Sequence, residues 1–550
     1  MMNNPQISPV MATAFVGLAS LFGIFFTKLY RARSYVRDLR RRGLPVAPNH
    51  SFFFGHLLYL KKYVDKLPPE AHYLYPISDI YLENFQKEGA FYLDMWPINP
   101  LFLAVFSPDT ATSVTQTNPH ICSQRPETLP DFFKPIAGGP NLFDMPESDW
   151  KAWRGVFNKG FNTEHCQSLV PGMVKQTLIF RETMREHARK GDIFYLDTTT
   201  LRFMIDMIGQ TILNAELGAQ NGYNTLADCM ISQIRWIAPT GFNPFASFNL
   251  ARGFMHWWNS RQMNLYIGQE LDRRYLEYKD DTENKRSRAV IDLVLQAYFE
   301  NDTGKTNEEL DADFRAFAIR QIRLFVYVGH DSTSSTICYC IHLLSKNADA
   351  LAKLRAEHNA ILGEDIDTFS STIIEQPQLL NDLTYTNAII KETLRFFPPA
   401  NGVRQGSKLA HILDDTGNSC PTDGAMIWVG HMQMQTAPKY WVRPLEFLPE
   451  RWLVEPGHEL YPLKGAWRPF EQGPRNCIAQ GLVMIELKVV LAHLVREFDF
   501  ENSYDEWDIA NPRKGLKICR GERAFQIDEG AAHPAEHYPC KVSFHEHKEN

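Results

Sequence analysis

Toward its C-terminal end the chain carries Phe470-Glu471-Gln472-Gly473-Pro474-Arg475-Asn476-Cys477-Ile478-Ala479-Gln480-Gly481, followed by the helix-like run Leu482 to Val495. Gly473 and Pro474 punctuate a tight turn, so a lone thiol falls where helix amides begin. Backbone N–H groups there, and Arg475 close by, would lower the energy of a thiolate. The fold must therefore build a loop-to-helix junction around this cysteine, which reads as a nucleophile or a metal ligand. The bland alternative is a buried structural Cys in an ordinary loop.

Helices dominate the rest. Apolar residues recur at helical spacing over 165–190, 197–217, 224–238, 255–279, 287–301, 307–346, 347–361 and 383–397. Ala90 to Trp96, Leu101 to Phe106, 402–412, 425–430 and pieces near the C-terminus read as β. A mainly α architecture with a small β portion is expected. The 36 Phe, 21 Tyr and 11 Trp suffice for a large core and an apolar pocket. A net charge of -7 leaves no basic excess to neutralise phosphates, so nucleic acid is excluded as a partner. Nine scattered cysteines fit a reducing compartment better than a disulfide framework.

Val10 to Phe26 is uncharged, and Lys28, Arg31, Arg33, Arg37, Arg40, Arg41 and Arg42 follow it. Extended by Leu29 and Tyr30, the run approaches the roughly 20 residues that span a bilayer. Residues 1–30 are read as a single transmembrane anchor, 31–50 as a basic, Pro-rich linker and 51–550 as the catalytic domain. The basic cluster after the span places that domain on the cytosolic side. No Lys or Arg precedes the apolar run, which argues against a cleaved signal peptide. Glycan on either sequon, Asn49-His50-Ser51 or Asn301-Asp302-Thr303, would contradict a cytosolic face.

Three further stretches carry chemistry. Trp150 and Arg154 stand one helical turn apart, a pairing suited to a buried carboxylate or to simple surface stacking. In the long segment 307–346, Gly329-His330-Asp331-Ser332-Thr333-Ser334-Ser335-Thr336 opposes helix propensity, as functional sites do. Gly329 would admit another group to the backbone, and the hydroxyls could take over helix carbonyls. Glu392 and Arg395 are three apart before Phe396-Phe397-Pro398-Pro399, a spacing that also occurs in solvated helix pairs of this chain such as Glu182/Arg185.

The cysteine loop, the Trp150/Arg154 pair, the acid-alcohol stretch, and Glu392/Arg395 followed by Phe447-Leu448-Pro449-Glu450-Arg451-Trp452 occur in the order seen in cytochromes P450, which the chain resembles. The narrower likeness is to microsomal members of fungal secondary metabolism. The resemblance implies the P450 fold behind one transmembrane helix, haem b as cofactor, and Cys477 as the axial thiolate that favours O–O cleavage. It implies that Arg475, Trp150, Arg154, Arg404, Phe470 and Gly329 surround the haem, and that Glu392, Arg395 and Arg451 form a buried structural network. Asp331 and Ser332, adjoined by Thr333, would deliver protons for oxygen activation. Val328 stands where Ala or Gly is usual, Ser332 where Thr is usual, and Ala479 where Gly is usual.

By the same resemblance, Phe132, Phe133, Val328, Ala400 and Val403 would touch substrate. His330 is a second-rank contact or a packing residue. The ring-dense stretch 236–258, with Phe242, Phe245, Phe248, Phe254, Trp257 and Trp258, would roof a pocket or meet the bilayer. The expected activity is insertion of one oxygen atom from O2 into a small apolar, polyketide-derived metabolite at the endoplasmic reticulum membrane. Electrons would come from NADPH-cytochrome P450 reductase docked near Lys151, Lys159, Lys464, Arg468 and Lys488. Two rivals are a hydroperoxide-rearranging or dehydrating P450 that needs no reductase, and a non-enzymatic haem binder.

Overall fold

A computed structural model describes residues 9–237, 249–280, 288–300, 309–366 and 368–545. Phe242, Phe245, Phe248 and the Asn301 sequon lie outside these residues. The helix Ala312–Lys346 runs through the centre of the protein. Asp311 caps it, its side chain accepting from Phe314 N at 2.8 Å. Its buried face, including Ile322, Phe325, Val326, Ile337 and Ile341, belongs to one large apolar cluster. The helix Leu196–Leu213 contributes Phe203, Met204 and Ile208 to the same cluster, and Gln480–Leu494 contributes Leu487, Val490 and Leu494.

Most helices lie where apolar periodicity places them. The expected 165–190 helix is broken at Leu169 into Thr163–Ser168 and Val170–Lys190, because Pro171 near the second start has no N–H to continue the ladder. Ala90–Asp94 pairs antiparallel with Leu101–Val105, which runs parallel to Ala425–Val429, whose other edge takes Gly402–Gln405 antiparallel. A C-terminal hairpin joins Gln526–Glu529 to Ala531–Pro534, and Pro539–Phe544 pairs with Phe498–Asn502.

The N-terminal helix is unbroken from Pro9 to Arg41, so residues 31–41 are not the linker expected of them. Its apolar half is exposed, with Phe15 74% and Phe22 60% accessible. The basic half buries Leu29, Arg33, Val36 and Leu39 against the body. Arg33 donates to the Phe52, Phe53 and Trp96 carbonyls as well as to Asp94, and these acceptors hold the helix in place.

Candidate active site

A cavity of about 960 Å³ lies between the cysteine loop and the central helix. It is lined by Cys477, Arg475, Phe470, Trp150, Arg154, Arg404, Gly329, Asp331, Ser332, Val328, Phe132, Phe133, Ala400 and Val403, gathering fourteen positions scattered over the sequence into one space. Cys477, partly buried, is the cysteine in this lining; Cys338, fully buried, sits against Thr200 and Asp197 instead.

The loop is set by its turn. Gly473 has φ +84°, and a Cβ there would lie 2.0 Å from the Thr115 carbonyl, so only glycine lets the loop close on that neighbour. Cys477 N then donates to Phe470 O at 2.8 Å. Burial pushes the Cys477 thiol up, while the Ala479 backbone and Arg154 pull it down. The cation beside the thiol is thus Arg154, not Arg475 as the sequence suggested. Arg154 clamps the loop from the neighbouring helix, donating to Asn476 O at 3.0 Å and Asn476 Oδ1 at 3.1 Å. Arg475 turns the other way, donating to Ser123 O and Met145 O and stacking 4.2 Å from the Trp150 ring.

Arg125, which no sequence motif marks, joins Arg404 and Arg475 at the cavity wall. Among the described residues, Arg125 Nε and Arg404 Nη2 are buried without a hydrogen-bond partner. Burial lowers the pKa of both groups, and Arg404 and Arg475 depress Arg125 further by like-charge repulsion. One carboxylate nearby is Glu471; burial raises its pKa, but His431, Arg404 and Arg468 bring it to about 2. Desolvated guanidinium groups with free N–H donors favour an anionic occupant with several oxygens. A haem, with its two propionates, fits this donor set and the thiol that shares the cavity.

On the opposite wall the central helix stays regular through its hydroxyl-rich turn. Ser332, Ser334 and Thr336 donate to the Val328, Asp331 and Ser332 carbonyls of their own helix. Gly329 faces Ile208, whose side chain would meet a Cβ at 3.3 Å. Thr333 is corrected by the structure, and of the two readings of His330 the packing one holds: both residues are buried and neither lines the cavity. His330 Nδ1 is bound to the Val326 carbonyl at 2.7 Å, a packing role. Asp331 does line the cavity and is engaged by the C-terminal hairpin. Ala531 N donates to its Oδ2 at 2.5 Å and His533 Nε2 lies 3.2 Å from its Oδ1. A Cβ on Gly530, at φ +91°, would stand 2.7 Å from Asp331 Oδ2. The sequence predicts strand-like pieces near the C-terminus but not their contact with Asp331, because the partners lie some 200 residues apart in the chain; the available signal was a Glu-Gly turn followed by a histidine.

Behind the loop, Glu392 is fully buried. It accepts from Arg395 Nε and Nη2 at 3.0 and 2.8 Å, from Arg451 Nε at 3.0 Å, from Trp452 Nε1 at 2.9 Å and from Leu448 N at 3.0 Å. Two of the five cations expected in a docking patch are interior. Arg468 is 1% exposed and reaches Thr112 and Thr115, and Lys488 donates to Leu380 O at 2.8 Å. Lys151, Lys159 and Lys464 are exposed. Phe254, Trp257 and Trp258 are exposed as well and do not line the cavity.

The cytochrome P450 family model matches residues 75–527. The chain is 38% identical over 531 residues to cytochrome P450 monooxygenase polC of Polytolypa hystricis, covering 96% of this chain and 94% of that one. It is 29% identical over 489 residues to cytochrome P450 monooxygenase acrF of Aspergillus aculeatus, covering 84% and 95%. Among solved structures, the heme domain of cytochrome P450DA superposes with a TM-score of 0.68 at 17% identity, covering 91% of this chain and 97% of that one.

Proposed function

The chain belongs to the cytochrome P450 family, and from that premise we propose that it is a haem-thiolate monooxygenase inserting one oxygen atom from O2 into a small apolar secondary metabolite. The observation that carries this reading is the shared cavity: the Cys477 thiol, orphaned guanidinium N–H groups and the Asp331 carboxylate all face it. Cys477 would ligate haem b, with Arg125, Arg404, Arg475, Trp150 and Arg154 around its edge and Phe470 beside the thiolate. Bound haem supplies O2 binding and O–O cleavage, which a thiolate ligand favours.

The chain's own residues do the rest. Asp331, held at the cavity wall by Ala531 N, is the acid that passes protons inward, with the Ser332 hydroxyl beside it. Phe132, Phe133, Val328, Ala400 and Val403 offer an apolar surface that excludes water and holds the substrate. Glu392, Arg395 and Arg451 fix the segment behind the cysteine loop.

NADPH-cytochrome P450 reductase is the proposed electron donor, docking where Lys151, Lys159 and Lys464 are exposed. The exposed apolar helix over residues 13–26, with Phe52, Phe53 and Phe54 and the outward Phe254, Trp257 and Trp258, supports a single-pass endoplasmic reticulum protein whose catalytic body rests on the cytosolic face of the bilayer.

Purified protein should give a thiolate-type, red-shifted Soret band in the ferrous-CO state. Loss of that band in Cys477→Ala is expected; its persistence overturns the ligand assignment. Spin-state shifts across polyketides, terpenes, sterols and fatty acids identify the substrate class, polyketides being the first to try.

A further inference from the structure

Asp331 is the inner end of a buried chain of alternating carboxylates and imidazoles. His533 Nε2 lies 3.2 Å from Asp331 Oδ1, and His533 Nδ1 lies 2.7 Å from Asp197 Oδ1. Asp197 Oδ2 is 3.2 Å from His537 Nδ1. The Asp197 side chain is 0% exposed, His533 1% and Asp331 4%, whereas His537 is 30% exposed. The chain thus begins at the protein surface and ends at the cavity wall, with every joint at hydrogen-bond distance.

Nothing in the sequence motifs uses Asp197, His533 or His537. Asp197 opens the helix Leu196–Leu213, and both histidines come from the hairpin and the turn after it. That turn puts Glu536, His537 and Tyr538 at φ 56°, 55° and 54°, three consecutive non-glycine residues in the left-handed region. Backbone held in so sparsely populated a region points to a constraint on side-chain direction, here one that turns His537 onto Asp197.

We propose that His537, Asp197 and His533 form a proton-supply line that recharges Asp331 from solvent, making His533 a positioning and proton-donating residue one step behind the cavity. The idea rests on the monooxygenase reading, which consumes protons at Asp331. In each passage a proton leaves His533 Nε2 for Asp331 Oδ1. The neutral ring left with its proton on Nδ1 turns over, so that its bare nitrogen meets Asp197, which passes it a proton taken from His537, and His537 is reprotonated by water. One proton enters, one leaves and no electrons move. Asp197 and Asp331 both favour the charged imidazole against the cost of its burial, so His533 is held in the form that can donate.

The rival is a purely structural clamp, in which His533 merely ties two carboxylates together. His537→Gln at the half-exposed entry and His533→Gln at the centre separate the two, and His537→Gln carries the test if the buried variant does not fold. Both should keep the ferrous-CO band. Turnover at saturating substrate should fall by roughly tenfold or more, with an increased solvent deuterium isotope effect.

A second readout needs no turnover. In the diamagnetic ferrous-CO state of the full chain, the His533 ring N–H signal should exchange with D2O several times more slowly in His537→Gln than in the wild type. Unchanged exchange and an unchanged isotope effect in His537→Gln overturn the relay, as does lost turnover explained wholly by a lower melting temperature. Absence of NADPH- and reductase-dependent product from wild-type protein would instead overturn the monooxygenase reading.

Discussion

Arg33 Nη1 lies 2.6 Å from Asp94 Oδ2, with both side chains sealed from solvent at 0% and 2% exposure. The pair joins the N-terminal helix to the first strand of the main sheet. Removing one member leaves the other charge buried, so Arg33→Ala should lower stability by about 3–5 kcal/mol, read as a drop in denaturation midpoint. Burial raises the Asp94 pKa, but His50 and Arg33 outweigh it and hold it below its ordinary value of 3.8. A carboxylate with a depressed pKa stabilises the fold above its unfolded value, so this contribution is lost as pH falls below about 4.

Glu392→Gln should cost a similar amount, about 3–5 kcal/mol, because two fully buried guanidinium groups lose their counter-charge. The expected readouts are a lower melting temperature and poor haem retention. Arg451→Lys should repair little, since Lys lacks the planar fork that meets Glu392 while also donating to Val442 and Arg443 carbonyls.

Glu486 is buried with neither carboxylate oxygen hydrogen-bonded among the described residues, and burial pushes its pKa up to about 8. The folded chain therefore binds a proton that the unfolded chain has released. The Glu486 contribution to stability should be fully present below pH 4.5, decline by about 1.4 kcal/mol per unit toward pH 8, and level off beyond. Glu486→Gln should flatten that slope, as checked by denaturant midpoints across the range.

Gly530→Ala places a methyl against Asp331 Oδ2 at a backbone angle that disfavours side chains. Product formation should fall by roughly tenfold or more while the ferrous-CO band persists. Gly473→Ala, whose Cβ would strike the Thr115 carbonyl, should instead abolish that band.

The large helices were legible because each buries one face, and the 3.6-residue period records that burial. The anchor's length was less so: Arg31 to Arg42 reads as a solvated basic cluster, yet Arg33 is an interior residue whose acceptors lie on other segments. Cys477, Arg404 and Asp331 could be placed at the cavity from local motifs. Arg125, Glu471, His533 and Asp197 could not, because what distinguishes them is desolvation and partners far off in sequence, and neither leaves a local pattern. Thr333 shows the converse, since a hydroxyl one step along a helix from Ser332 points about 100° away.

With its apolar half in a bilayer, as proposed, the unbroken N-terminal helix would also constrain how the protein moves. Its 33 residues at 1.5 Å each make a rod of roughly 50 Å, pinned at Arg33. A body on a slack tether would tumble freely above its membrane, whereas one on a mast can spin about the rod but hardly nod. A partner anchored in the same bilayer would then meet it at one height, and their encounter would become a search in two dimensions.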